Sequence, residues 1–204
     1  MRVLAIDSSA RRRLVVAVAG EGGAVLGGRV VSEVALDTAL PALLRELLRP
    51  APDAVVAVTG PGSYTGLRAG MAAALGVAQA LAIPLHGTGA LEMVAWAAPP
   101  EATEVVALAG AGRGNVHLAR HRREDGAWRA LEPVRRARLG ELRLPEGTVT
   151  VSLDDPPPAG ALTGDPVRAL AAAAWRALSG PPLPSAGLRA QYVDAGGPEQ
   201  ICRV

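Results

Sequence analysis

The chain has 204 residues, a formal net charge of +2 and a hydrophobic content of 50%. This composition is too apolar for an intrinsically disordered chain, and the small charge excludes a bulk electrostatic attraction to nucleic acid. All 21 basic side chains are arginines, so these residues supply neither the lysine of a Walker A phosphate loop nor the amine of a Schiff-base enzyme.

Short apolar runs predict the strands of the first half of the chain. The run at 3–6 ends at the polar residues Asp7, Ser8 and Ser9, which predicts a buried strand that enters a polar turn. Runs at 14–19 and 24–31 are bounded by glycines and predict two more strands.

A leucine stripe predicts the first helix. Its members recur at helical spacing on one face: Leu40, Leu43, Leu44, Leu47 and Leu48. Asp37 or Thr38 is the expected N-cap. Pro41 falls in the first turn, where a missing N–H costs little, and Pro50 and Pro52 end the helix.

The most distinctive segment is a glycine-rich turn at 60–66, which follows a predicted strand at 55–58 and precedes a predicted helix at 67–82. Free backbone amides at such a helix start form an anion site, to which Ser63, Thr65 and Arg68 would add polar groups. Alternatively, the glycines only permit a tight turn and close packing. The spacing matches neither the dinucleotide motif nor a hydrolase elbow, which needs glycine where Pro61 stands.

The second half partly repeats the first. After a strand at 83–86 and a helix at 88–97, the pair Pro99-Pro100 marks a boundary. Further elements are predicted in chain order: strands at 105–109, 116–121, 128–131 and 149–152, and a helix at 166–178 capped by Asp165. The shared order indicates a duplicated α/β protein, with one lobe at 1–98 and a smaller one at 101–204.

Several motifs resemble those of the bacterial TsaB (YeaZ) family. The specific block is Gly60, Pro61, Gly62, Ser63, Tyr64, Thr65, Gly66, Leu67, Arg68, Ala69 and Gly70. Individually weaker matches extend the resemblance over nearly the whole chain, in order: 3–9, 81–85, 112–116 and 190–193.

This resemblance implies an actin-like ATPase fold (ASKHA, ribonuclease H-like) with two related lobes, the second of them reduced. It also implies a part in making threonylcarbamoyladenosine at position 37 of tRNA. In that pathway TsaC makes threonylcarbamoyl-AMP, TsaD transfers the group, and TsaE is the ATPase that joins TsaD and TsaB. The TsaB subunit is regarded as non-catalytic and dimerises with TsaD, or with a second copy of itself when TsaD is missing.

The metal-binding positions of TsaD, the catalytic relative, bear on whether this chain is non-catalytic. TsaD-like subunits carry His-x-x-x-His after an Ile-Pro-Leu strand, and the matching positions here are Ala90 and Val94. Neither side chain ligates a metal, which disfavours both a TsaD-type transferase and a metal-dependent peptidase. His117 and His121 repeat the spacing, but on a predicted strand they lie about 13 Å apart and do not share a metal. His86 is interpreted as a strand-end residue.

A nucleotide site is the remaining catalytic hypothesis. Asp7, Ser8 and Ser9 occupy the place of the first phosphate loop of actin-like ATPases, where a carboxylate could hold a magnesium-bound water. The matching turn of the second lobe has Gly110 where an acidic residue is expected. We therefore expect no catalytic residue and no cofactor held by this chain alone, with ATP or ADP possible at an interface with partners. The alternatives are an autonomous actin-like ATPase or small-molecule kinase, and a metal-dependent peptidase.

A partner surface is predicted on the first two helices. Gly66, Gly70 and Ala74 form a ridge of small residues that permits close helix approach, and in the TsaB family these helices form the bundle with TsaD. The predicted interface residues are Leu40, Leu43, Leu44, Leu47, Gly70, Met71, Ala74 and Leu75.

Two further features bear on partners and compartment. Eight arginines stand between 120 and 143, against four acidic residues, and they form either a solvated set of strand and loop residues or a contact with tRNA.

Cys202 is the only cysteine, so an intrachain disulfide is impossible, which fits a reducing compartment. We expect a cytoplasmic protein without a membrane segment.

Overall fold

A five-stranded mixed sheet forms the first lobe. The computed structural model describes residues 1–33, 35–158, 160–184, 188–193 and 200–203. The strands are β1 (Val3–Asp7), β2 (Arg13–Ala19), β3 (Val25–Ser32), β4 (Ala54–Val58) and β5 (Leu85–Thr88). Their order across the sheet is β3-β2-β1-β4-β5. Since β1 and β4 are buried on both faces, they read as continuous apolar runs in the sequence.

A second mixed sheet follows. Its strands are β6 (Glu104–Gly112), β7 (Asn115–Glu124), β8 (Ala127–Ala130), β9 (Arg135–Arg138), β10 (Thr150–Ser152) and β11 (Leu162–Thr163). The order is β11-β10-β6-β7-β8, and β9 also pairs with β7.

The two sheets share one plan. In the first, the leading strand β1 is antiparallel to β2 and parallel to β4. In the second, the leading strand β6 is antiparallel to β7 and parallel to β10. Both leading strands therefore occupy the same place in the order, and the predicted actin-like, ribonuclease H-like fold with two related lobes is confirmed.

Within the described residues, four α-helices pack against the two sheets. They are α1 (Leu36–Leu47), α2 (Tyr64–Leu81), α3 (Ala90–Ala95) and α4 (Pro166–Ala177). α1 and α2 cover the outer face of the first sheet, where Leu43 and Leu67 pack with Leu4. α3 and α4 lie between the sheets, where Leu91 and Leu170 join one cluster with strand residues of both lobes.

The second lobe is reduced because loops replace the two outer helices. The segment between β9 and β10 contains only a 3-10 turn at Leu139–Glu141, and a proline-rich loop follows β10. The outer apolar cluster is correspondingly small, with Leu108 and Leu118 covered by partly buried side chains such as Leu139. Much of the outer sheet face therefore stays open in the part of the chain that the structure describes.

Several element boundaries differ from the predicted ones, including the start of α2 at Tyr64 and the bounds of β5 at Leu85–Thr88. α1 begins at Leu36 after Ala35, with no side-chain cap, so the predicted N-cap at Asp37 or Thr38 is wrong. α3 is shorter than the predicted helix at 88–97, because Thr88 is still paired in β5. β9 was not predicted, since four arginine-rich residues show no apolar alternation. By contrast, Asp165 caps α4 as predicted, by accepting from the backbone of Val167 at 2.8 Å.

Candidate functional site

The polar turn after β1 is closed by its own hydrogen bonds. Asp7 is fully buried, and its Oδ1 accepts from the backbone N–H of Ser9 at 2.9 Å and from the Ser9 hydroxyl at 2.5 Å. Its Oδ2 lies 3.5 Å from Nη2 of Arg13. Arg13 also donates to the carbonyl oxygen of Leu153 in the second lobe. Both carboxylate oxygens thus serve the turn and a contact between the lobes.

The glycine-rich motif holds this turn against α2. Ser8 donates through its hydroxyl to the carbonyl of Gly66 at 2.7 Å. A Cβ on Gly62 would meet Ser9, and one on Gly66 or Gly70 would meet Ser8. The absence of a side chain at these three glycines therefore lets residues 8–9 pack closely against the motif. The ridge predicted to accept a partner helix instead packs against the protein's own β1–β2 turn.

Two amides at the start of α2, those of Ser63 and Gly66, have partners within the protein. The Ser63 N–H donates to the Ser9 carbonyl at 2.7 Å. The Gly66 N–H donates to the Ser63 hydroxyl at 3.3 Å, which makes Ser63 the N-cap. These two donors are occupied, and the motif glycines make close contacts with residues 8–9, so the structure shows the tight packing that the glycines permit.

An aromatic stack marks the outer end of the motif. Tyr64 is 56% exposed. Its ring lies 5.3 Å from that of Tyr192 and 3.9 Å from the guanidinium carbon of Arg68. Tyr192 belongs to β12 (Arg189–Tyr192), which pairs with β13 (Gln200–Arg203). The stack thus joins the family-like segment at 190–193 to the glycine-rich block.

A cleft of about 1120 Å³ separates the two lobes on this side. Arg11, Arg12 and Tyr64 line it from the first lobe, and Asn115 and Asp154 from the second. The Gly110 N–H donates to Oδ2 of Asp154 at 2.6 Å. An acidic side chain therefore does lie beside Gly110, and it comes from the loop after β10. Matching the two turns by sequence position alone did not predict this neighbour.

The positions compared with metal ligands are apolar or far apart. Ala90 and Val94 are buried in the core between the sheets. His117 and His121 lie on β7, as predicted, and both are buried. His86 lies within β5. Among the described residues, histidine, cysteine and acidic side chains do not gather in groups of three or more that could hold a metal.

Burial makes His117 a pH-dependent element of stability. Burial, together with the Arg136 charge, lowers the pKa of the His117 side chain to about 4. An unfolded histidine has a pKa of about 6.5, so between these values the unfolded chain binds more protons and stability falls as the pH falls. We expect His117→Gln to lose less stability than the wild type between about pH 7 and pH 5. Urea unfolding at both pH values measures this, and equal losses would contradict it.

Six of the eight predicted interface side chains face the core. Leu40, Leu43, Leu47, Gly70, Met71 and Ala74 are buried against the first sheet. Only Leu44 and Leu75 are partly exposed. The prediction of those six as an accessible partner face is therefore wrong. The periodicity located an apolar stripe, but that stripe is the inner face of each helix.

The exposed face of α2 carries small residues instead. Ala72, Gly76 and Ala80 are exposed, and Ala69 and Ala73 are partly exposed.

Within the described residues, the helices are all too short or too polar to cross a membrane.

Comparison with known proteins supports the resemblance. Residues 33–133 match the family model of TsaD, described as tRNA N6-adenosine threonylcarbamoyltransferase. YeaZ from Pseudomonas aeruginosa superimposes with a TM-score of 0.69 at 22% identity, over 90% of this chain and 95% of that one. A protein described as similar to peptidase YeaZ from Pseudomonas aeruginosa gives 0.70 at 21%, with the same coverage.

Curated relatives match over shorter segments. An uncharacterized protein of Mycobacterium leprae is 40% identical over 70 residues, which is 34% of this chain and 19% of that protein. One of Mycobacterium tuberculosis is 52% identical over 42 residues, 21% of this chain and 20% of that protein. The matched segments thus span about a fifth of the length of these relatives. Together with the motifs, the YeaZ fold and the TsaD-like segment confirm the resemblance to the TsaB (YeaZ) family.

Proposed function

We propose that this chain is a non-catalytic, cytoplasmic subunit of the machinery that makes threonylcarbamoyladenosine at position 37 of tRNA. In this role it binds the TsaD transferase and supports its activity. The TsaD family match, the YeaZ fold and the glycine-rich block support the pathway. The observation that carries the non-catalytic part is that internal bonds occupy the Asp7 carboxylate.

A magnesium-bound nucleotide needs a carboxylate that faces the ligand. Asp7 is fully buried, and its oxygens are bonded to Ser9 and Arg13. Turning it into the cleft would leave the Arg13 charge without its partner, and breaking such a pair costs about 3 to 5 kcal/mol. This supports a cleft that does not hydrolyse ATP by itself. We place ATP or ADP, and TsaE, at an interface formed with the partners.

Two enzymatic alternatives are less well supported. An autonomous ATPase or kinase needs the Asp7 carboxylate that the turn already uses. A metal-dependent peptidase, suggested by the description of one structural relative, needs ligands where Ala90 and Val94 lie in the core. ATP turnover or metal-dependent peptide cleavage by the purified chain, lost in an Asp7→Asn variant or on chelation respectively, would establish either one.

The exposed face of α2 is the best candidate for the TsaD contact. Its small residues, Ala69, Ala72, Ala73, Gly76 and Ala80, let a partner helix approach to the near end of the 8–10 Å range. The same face would serve a homodimer when TsaD is absent.

Ala72→Arg tests this face. Ala72 is exposed at its centre, so the substitution leaves folding nearly unchanged but inserts a long charged side chain into a close helix contact. We expect the affinity for TsaD to fall at least about tenfold, measured by co-elution and titration calorimetry. The matched control is Ala24→Arg, at an exposed position before β3. Equal TsaD binding by both variants would place the contact elsewhere.

A further inference from the structure

Four arginines converge on the open outer face of the second sheet. Arg120 and Arg122 are two residues apart on β7 and therefore share a face of the sheet. Strand pairing places Arg129 opposite Arg122 and Arg135 opposite Leu118. Directly opposed residues share a face of the sheet, so all four side chains lie on the face that carries Leu118. All four are exposed. We call this set, Arg120, Arg122, Arg129 and Arg135, the arginine face.

One pairing within the arginine face brings like charges together. Arg122 and Arg129 stand directly opposite each other, and opposed like charges destabilise a sheet. Two carboxylates offset part of this repulsion. Glu104 pairs with Arg122 at 2.6 Å and with Arg120 at 3.3 Å, and Glu124 lies 3.5 Å from Arg129. Four cations against two anions leave the face positive.

Nothing in the second lobe covers these side chains with a helix, within the residues that the structure describes. In the first lobe the corresponding outer sheet face lies under α1 and α2. Here the apolar cover from Leu139 and its neighbours reaches Val116 and Leu118, while Arg120 and Arg122 further along β7 are about half exposed, at 52% and 50% of their side-chain surface. The arginines thus form an exposed surface open to a large ligand.

We propose that the arginine face binds the phosphate backbone of RNA, and that this chain itself contacts the tRNA. Arginine forks bind phosphate through two parallel hydrogen bonds. Neighbouring arginines are spaced about 5 Å across strands and about 7 Å along β7, which suits a repeating polyanion. Protein-interface hot spots contain tryptophan and tyrosine as well as arginine, whereas the aromatic side chain of this region, Trp128, is buried. The identity of the RNA as tRNA rests on the proposed function.

The test removes three of the four charges. A variant with Arg122→Gln, Arg129→Gln and Arg135→Gln keeps Arg120, so that Glu104 retains a partner. The control variant carries Arg29→Gln, Arg49→Gln and Arg168→Gln, which removes the same charge from exposed positions elsewhere. Binding of a fluorescent tRNA transcript to the full chain is measured by anisotropy over a range of salt concentrations. The KM for tRNA is then measured with the complete set of partners.

We expect the arginine-face variant to bind at least about tenfold more weakly and to show a shallower salt slope, by about 2 to 3. Its KM for tRNA should rise while kcat is retained, and the control should resemble the wild type. Equal affinity and KM for the two variants would overturn the inference. So would a variant that loses TsaD but keeps its RNA affinity, since the face would then bind protein.

Failure of the proposed function is distinguishable from failure of this inference. If modification does not require the chain but the arginine-face variant still loses RNA affinity, the proposed function is wrong and the RNA surface stands. If modification requires the chain but the variant binds RNA and supports modification like the control, only the RNA surface is wrong.

Discussion

Replacing Asp7 with alanine is expected to lower the free energy of unfolding by about 3 to 5 kcal/mol, the usual cost of removing one partner of a buried ion pair. The carboxylate is fully buried and accepts from both the backbone and the hydroxyl of Ser9. Its loss also strips the partner from Arg13, whose side chain is only 13% exposed. Urea unfolding at neutral pH measures the change.

The control for this prediction is Asp37→Ala on α1. Asp37 is exposed, and its carboxylate accepts a hydrogen bond from the neighbouring Thr38 hydroxyl, so the change should stay within about 0.5 kcal/mol. A carboxylate maintained for magnesium chemistry behaves differently, because active-site charges commonly cost stability. A neutral or stabilising Asp7→Ala would therefore contradict the structural role assigned to this residue and revive the ATPase alternative.

Gly66→Ala should destabilise the fold by about 3 kcal/mol, near the upper end for forced overpacking of a tight contact. Gly66 is buried, and a Cβ there would collide with the Ser8 carbonyl oxygen, a backbone atom that has little room to move. The Ser8 hydroxyl also donates to the Gly66 carbonyl, so a shift of the turn would break this bond too. In a thermal melt the loss corresponds to a Tm lower by about 6 to 12 °C.

Gly76→Ala is the matched control on the same helix. A Cβ at Gly76 would meet nothing within 4 Å, so alanine should raise stability by about 0.5 to 1 kcal/mol through its helix propensity. Opposite signs for these two substitutions in α2 would show that the motif glycine is required for contact with the β1–β2 turn. A neutral Gly66→Ala would refute that explanation and return the motif to the anion-binding hypothesis.

The two-lobed plan could be predicted because local signals agreed along the chain. Buried strands such as β1 and β4 are continuous apolar runs, and Asp165 before Pro166 is a strong helix start. The residues near β1 were also located correctly as a polar turn. The sequence did not reveal that Arg13 and Ser9 occupy the Asp7 carboxylate, since these bonds depend on the closure of β1 onto β2 and of the two lobes.

The surface that each apolar stripe faces could not be predicted from the sequence. Helical periodicity identifies an apolar stripe, but it does not say whether that stripe meets the protein's own sheet or a partner. Leu43 and Met71 pack on the first sheet, and the small residues that remain exposed on α2 carry little hydrophobic signal. Likewise, the sequence does not show which of the arginines of 120–143 share a face, and only strand register shows that Arg122 and Arg129 stand opposite each other.

We propose that this chain acts through its partners and not through chemistry of its own. The most direct measurement is tRNA threonylcarbamoylation reconstituted with TsaC, TsaD and TsaE from the same organism, with and without this chain. We expect modification only when all four proteins are present, and we expect it to be lost with Ala72→Arg but not with Ala24→Arg. Full modification without the chain, together with no co-elution with TsaD, would contradict it.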